Sequence, residues 1–211
     1  MTWNVQGLNT CLQDNEFLNF VSQFDILFCC ETWQRQNDKF TIEGYNCICV
    51  PRPESLKIRG KGRRGHGGIC LFVRESLSKG IEVIETDPAG FIWVKFCKDF
   101  FSLTFDLYNC FCYIPPKESI YFKNVDIDLY DVLENGIRKY SDLGKIAVYG
   151  DLNARTGVLD DRVISGHGLD KYIHCLEGAE FAEDSVGNIG RRFSLDMKTD
   201  SSGLRLIQLC K

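Results

Sequence analysis

Positive charge is in short supply in this sequence: 25 Lys and Arg stand against 29 Asp and Glu, leaving a net charge of −4. That excludes a protein that coats nucleic acid by bulk charge, but not one that grips a few phosphates locally. Long apolar runs are lacking as well. The longest, Ile26–Cys30 and Ile69–Val73 among them, are far too short to cross a bilayer. Residues 1–13 are polar and carry no continuous apolar stretch of the signal-peptide kind. No membrane partner is expected. Histidine is scarce, with His66, His167 and His174 the only three, and no Cys-x-x-Cys occurs. Without that spacing the eleven cysteines read as core thiols rather than zinc ligands.

An odd number of cysteines cannot all pair within one chain. Most lie inside strand-like runs: Cys29, Cys30, Cys47, Cys49, Cys70, Cys97, Cys110 and Cys112. Small buried thiols point to a reduced, intracellular protein, nuclear or cytoplasmic. The pairs Cys47/Cys49 and Cys110/Cys112 each share one face of a strand, because strand side chains alternate.

With 211 residues, 44% of them hydrophobic, a single domain over residues 1–211 with a sizeable core is expected. Met1–Val5 reads as the end of a strand. Asn15–Phe24 has apolar residues near helical spacing, and Asp25–Cys30 is a short buried strand. Tyr45–Val50 is a strand closed by Pro51 and Pro53. Leu56–Gly68 is basic and glycine-rich and reads as a loop. Strand-like runs follow at Ile69–Val73, Ile81–Glu85, Phe91–Cys97 and Phe101–Tyr113, the last two forming a hairpin around Lys98-Asp99. Ile127–Tyr140 has helical periodicity, and Lys145–Tyr149 is a buried strand. Residues 154–200 look loop-rich, and Ser201–Cys210 forms a helix capped by Ser201 or Ser202. Short strands mixed with helices predict an α/β protein with packed sheets.

Polar groups stand where the apolar runs finish: Asn4, Glu31, Tyr113, Asp151 and Asn153. Rigid strands aim side chains well, so clustered strand ends suit catalysis. Taken singly, each has an ordinary reading: a turn residue, a solvated carboxylate, an Asx turn or a half-buried aromatic. Together they suit metal-assisted phosphodiester hydrolysis. Mg²⁺ takes hard oxygen ligands, usually one or two carboxylates. Glu31 can be such a ligand, Asp151 can orient or deprotonate water, and Asn4, Asn153 and Tyr113 can contact phosphoryl oxygens.

The segments Thr2-Trp3-Asn4-Val5-Gln6-Gly7-Leu8, Cys30-Glu31-Thr32-Trp33, Gly67-Gly68-Ile69-Cys70-Leu71-Phe72-Val73, Tyr113-Ile114-Pro115-Pro116 and Gly150-Asp151-Leu152-Asn153-Ala154-Arg155 occur in this order. In order and spacing they resemble the endonuclease/exonuclease/phosphatase superfamily. The run Gly150–Gly157 followed by Asp200-Ser201-Ser202-Gly203-Leu204-Arg205-Leu206 is similar to the non-LTR retrotransposon (LINE-type) branch. Each segment alone is weak, and the set in register is specific. The resemblance implies a four-layered α/β sandwich of two mixed sheets flanked by helices. It implies Mg²⁺ or Mn²⁺ on Glu31, with Asn4 in the metal and phosphate site. It further implies Tyr113 near the scissile phosphate, Asp151 activating water and Asn153 as a phosphate partner.

The family pattern also has a later Asp strand and a Ser-Asp-His, which this sequence does not contain, so the sandwich is expected to be incomplete and the activity weak or absent. The intact parent is expected to nick DNA and to be fused to a reverse transcriptase. A catalytically dead binding module, a relative acting on RNA or another phosphodiester, and a fragment that does not fold alone are the competing expectations. Arg59, Lys61, Arg63 and Arg64 are candidate nucleic-acid contacts, against the plainer reading of a solvated loop.

Overall fold

The computed structural model describes residues 1–35, 38–53, 67–119, 121–159 and 194–210, which fall into two compact units, Met1–Asn153 and Ala154–Lys211.

The first unit repeats one local plan: a strand, a helical return and a second strand parallel to the first. Strand β1 (Thr2–Asn4) leads through helices α1 (Leu8–Cys11) and α2 (Asn15–Val21) to β2 (Ile26–Cys30), which pairs parallel to β1. Later, β7 (Leu107–Tyr113) leads through α4 (Tyr121–Asn124) and α5 (Leu129–Ser141) to β8 (Lys145–Asp151), again parallel. Both long helices start on an aspartate. Asp14 accepts the Glu16 N–H at 2.9 Å, and Asp128 accepts the Tyr130 N–H at 2.8 Å. Such caps satisfy N–H groups that the helix itself leaves without a partner. The buried side of each helix follows its apolar spacing, Phe17 and Val21 on α2, and Leu129, Leu133 and Tyr140 on α5.

Between the two parallel pairs lie β3 (Tyr45–Val50), β4 (Ile69–Arg74), β5 (Ile81–Asp87) and β6 (Phe91–Phe96), all joined antiparallel. The result is two mixed four-stranded sheets, ordered β1-β2-β4-β3 and β5-β6-β7-β8. One core cluster lies between them, with Phe28, Cys30, Ile69 and Leu71 from the first sheet and Ile92, Val94 and Phe111 from the second. The rings of Phe28 and Phe111 meet at 5.6 Å across this interface. A second cluster packs the outer face of the first sheet, through Leu27, Cys70 and Phe72, against Leu8, Phe17 and Val21 of α1 and α2. On the outer face of the second sheet, Trp93 packs on Tyr140 of α5 at 4.8 Å. The order is therefore helix, sheet, sheet, helix, the expected α/β sandwich. No helix among the described residues is long and apolar enough to cross a membrane.

Three expectations need correction. The β6–β7 hairpin exists, but Phe101 is not in its strand. Lys98–Phe101 forms a short helix, α3, which Ser102 closes in the left-handed region at φ 54°. The apolar spacing of Phe101, Leu103 and Phe105 mimics a strand, but Phe101 stacks on Phe96 at 5.2 Å from the helix and the strand itself begins at Leu107.

In the second unit, helix α6 (Ser201–Cys210) is capped by Asp200 rather than by Ser201 or Ser202. The Asp200 carboxylate accepts the Gly203 N–H at 2.7 Å, and its carbonyl accepts the Leu204 N–H at 3.0 Å. The cysteines are not all free thiols either, since Cys49 and Cys70 form a disulfide. They face each other in the β3–β4 register with Cα atoms 4.3 Å apart, and Cys47 lies beside them, its sulfur 3.3 Å from that of Cys70. The loop-rich reading of 154–200 falls mostly on residues outside the described set.

Candidate active site

Strand direction gathers the candidate residues at one end of the first unit. Asn4 is the register partner of Cys30, so Glu31, one residue on, emerges beside it. Tyr113 is the register partner of Asp151 in the other sheet. Two hydrogen bonds then tie these neighbours across the sheets. Asn4 Nδ2 donates to Asp151 Oδ2 at 3.2 Å, and the Tyr113 hydroxyl donates to Glu31 Oε1. Four strand ends thus form a four-cornered cluster, with a carboxylate and a neutral donor contributed by each sheet.

Glu31 is held firmly. Its Oε2 accepts the Trp33 indole N–H at 2.6 Å and the Gly67 backbone N–H at 2.8 Å. Its backbone is strapped on both sides: the Glu31 carbonyl accepts the Gly7 N–H, while the next residues bond to Gly67 and Gly68. This strapping sustains a left-handed backbone at Glu31 and Trp33, both at φ 55°. Non-glycine residues adopt that region at a cost of roughly 1–2 kcal/mol each, and such strain concentrates at functional sites. Asn153, at φ 46°, closes the other side. Its N–H donates to Asp151 Oδ1 at 3.1 Å and its side chain donates to the Ile114 carbonyl at 2.9 Å. Gly150 makes the approach of β8 to β7 possible, since a Cβ there would stand 1.8 Å from the Cys112 carbonyl oxygen.

The electrostatics follow from this packing. Burial pushes the Tyr113 phenol up, and its bond to Glu31 pushes it further, so it stays a neutral donor. Burial likewise raises the Cys30 thiol to about 12, with the charges of Asp151 and Glu31 adding to the shift. Cys30 therefore reports a negative field shared by both carboxylates. That field and hard oxygen donors fit a small divalent cation. Glu31 and Asp151 each keep acceptor capacity, since a carboxylate offers about four lone-pair sites.

Asn4, Glu31, Tyr113, Asp151 and Asn153 thus lie together at this end of the first unit. Arg59, Lys61, Arg63 and Arg64 lie outside the described residues. The sequence reading missed the donors that hold Glu31, namely the Trp33 indole and the Gly67 N–H. Trp33 and Gly67 stood within the quoted segments, but nothing in a linear sequence shows which carboxylate their N–H groups would meet.

The fold is similar to that of the Xenopus laevis APE2 catalytic domain, with a TM-score of 0.53 at 17% identity, over 80% of this chain and 62% of that one. Two further solved structures are similar at lower scores. The 3'-5' exonuclease NExo from Neisseria meningitidis gives 0.47 at 20% identity, covering 74% of this chain and 58% of its own. An AP endonuclease from Archaeoglobus fulgidus gives 0.46 at 19% identity, covering 82% and 62%. This chain therefore spans less than two thirds of the length of each. No curated protein matches it. The pattern of the Endonuclease/Exonuclease/phosphatase family, by contrast, matches residues 1–203, taking in every strand among the described residues and the whole four-cornered cluster. A match over nearly the full length, on two mixed sheets with these residues at their shared end, means that the chain belongs to the Endonuclease/Exonuclease/phosphatase family.

Proposed function

We propose that this chain carries the hydrolytic centre of a metal-dependent phosphodiesterase that nicks DNA, as the endonuclease part of a retrotransposon reverse transcriptase polyprotein, with weak activity in this chain by itself. The observation that carries the reading is the cluster in which Glu31, Asp151, Asn4 and Tyr113 meet across the two sheets.

Glu31 is the residue to hold Mg²⁺ or Mn²⁺, with Asn4 beside it. Such an ion, when bound, would polarise a phosphoryl oxygen and neutralise charge that develops on the phosphate. Asp151 supplies the base: one of its oxygens accepts the proton of a water aimed at phosphorus. Its two bonded donors, Asn4 and the Asn153 N–H, fix the direction of that carboxylate. Positioned acid–base groups of this kind contribute about 10²–10⁴-fold in rate. Tyr113 remains protonated and can direct its hydroxyl from Glu31 to a phosphate oxygen. Asn153, held by the Ile114 carbonyl, presents its remaining amide polarity to the same phosphate. DNA, rather than RNA or another phosphodiester, is supported by the likeness of residues 150–157 and 200–206 to the retrotransposon branch.

The test is supercoiled-plasmid nicking with Mg²⁺ under single-turnover conditions, protein in excess, beside Glu31→Gln and Asp151→Asn. Weak nicking that needs the ion and disappears in both variants is the expected result. A chain that melts cooperatively yet leaves the plasmid intact would point to a binding module. Nicking that survives both substitutions would place the chemistry elsewhere.

A further inference from the structure

We propose that Arg52 and Tyr121 form a phosphate subsite beside the hydrolytic centre, which takes a phosphodiester neighbouring the one that is cut. The proposal rests on the nucleic-acid reading above and deepens it.

Arg52 follows the end of β3, between Pro51 and Pro53. Proline fixes its own φ, and a residue before proline is confined to extended conformations, so this stretch has little freedom to lose on binding. The side chain is half-buried and fixed as well. Its Cζ lies 5.0 Å from the ring centroid of Tyr121, a residue only 4% exposed, so the guanidinium rests on a rigid platform.

The opposite neighbour is Gly67. A Cβ on Gly67 would stand 2.4 Å from the Arg52 Cζ and Nε, so the guanidinium occupies the space that any other residue at 67 would fill. Gly67 also donates its N–H to Glu31 Oε2 at 2.8 Å. One residue therefore separates the guanidinium from the carboxylate expected to hold the metal. The Arg52 charge is felt at Tyr113 as well as at Tyr121. Asp87, whose charge also reaches Tyr121, is an acidic group on that side among the described residues, and its Oδ1 accepts the Ala89 N–H at 2.8 Å.

A guanidinium stacked by one face keeps its in-plane N–H fork, which matches two oxygens of a phosphate. A fixed cation here also answers a physical difficulty. The chain carries a net charge of −4, and Glu31 and Asp151 add local negative charge where a polyanion must approach. A phosphate beside the scissile one meets the same repulsion, and Arg52 offsets it at the rim.

The experiment measures binding and cleavage of a short duplex carrying single methylphosphonate substitutions around the cut, for the full chain and for Arg52→Ala and Arg52→Lys. Arg52→Ala is expected to raise KM roughly ten-fold with kcat little changed, the size of one lost charged contact. Its slope of log affinity against log salt should shallow by about 0.9, one phosphate's share. One neutralised flanking position should weaken wild type but not Arg52→Ala. Arg52→Lys should restore the salt slope without the full affinity, because a point charge keeps the attraction and loses the fork.

Equal losses at every flanking position in wild type and Arg52→Ala, with an unchanged salt slope, would make Arg52 a loop staple and overturn the proposal. A folded wild type that does not bind the duplex would overturn it too. Binding that shows the Arg52 pattern without any cleavage would sink the hydrolytic reading and leave the subsite standing.

Discussion

Asn4 and Asp151 lie 147 positions apart and share a hydrogen bond of 3.2 Å that links the last residue of β1 to the last residue of β8. The bond joins the open edges of two different sheets, since β1 ends one strand order and β8 ends the other. Its mirror is the Tyr113–Glu31 bond, which runs between the same two sheets.

Residues that act as one unit lose function non-additively. Asp151→Ala is expected to abolish nicking, and Asn4→Ala to reduce it by roughly ten-fold or more, in line with a positioned hydrogen bond. The double variant should be no slower than Asp151→Ala. Losses that multiply in single-turnover rates would show two independent contributions.

Trp33 acts on Glu31 through its indole N–H, so Trp33→Phe removes one donor and keeps most of the packing. Half-saturation by Mg²⁺ is expected to move severalfold higher, with the rate at saturating Mg²⁺ largely retained. A Mg²⁺ titration of nicking reads this directly. An unchanged half-saturation point would mean that the Gly67 N–H and Tyr113 suffice to hold the carboxylate.

Gly150→Ala tests the junction of β7 and β8. The added Cβ would lie 1.8 Å from the Cys112 carbonyl at φ +149°, so backbone must move. A loss of about 2–4 kcal/mol in urea denaturation is expected, combining overpacking with backbone strain. Gly44→Ala is the control. Its φ is +78° with nothing within 4 Å of the new Cβ, so only conformational strain of about 1–2 kcal/mol remains.

In the second unit, Arg155 donates to both oxygens of Asp196 at 2.7 and 2.8 Å. The hydrogen bond from Arg155 is the main reason that Asp196 is lowered to about 2, with the Lys198 N–H assisting. A carboxylate lowered in the folded state favours folding above its ordinary value of about 3.9 and loses that contribution as pH falls through the lowered one. Carbon-detected NMR titration from pH 5 downward should show Asp196 protonating near 2. Arg155→Gln should return it toward the ordinary range, and no change would rule out the pair in solution.

Much of the fold was legible residue by residue. Tyr45–Val50 and Ser201–Cys210 appear where alternation and helical spacing put them, because both patterns are local. The stretch 98–106 misled for the same reason. Phe100, Phe101, Leu103 and Phe105 supply strand-like apolar spacing, but Asp106 accepts the Lys98 N–H at 2.8 Å and stabilises a helical turn that spacing alone does not announce. The cap of α6 lies one or two residues before the serines expected to form it, since aspartate and serine serve equally well in sequence and only the bond to Gly203 separates them.

The sequence by itself determined which polar side chains stand at strand ends, and the ordered segments around them carried the family. Those features depend on neighbours in the chain, where periodicity, turn residues and proline limit what the backbone can do. Tertiary structure alone decided which strand ends meet. The Asn4–Asp151 and Tyr113–Glu31 bonds and the stack of Arg52 on Tyr121 depend on two sheets packing face to face, while the Trp33 and Gly67 donors on Glu31 depend on β2 pairing with β4. The pairing of Cys49 with Cys70 likewise waited on the register of β3 against β4. Register and sheet packing are set by the summed burial of many side chains far apart in sequence, and no local stretch contains that sum.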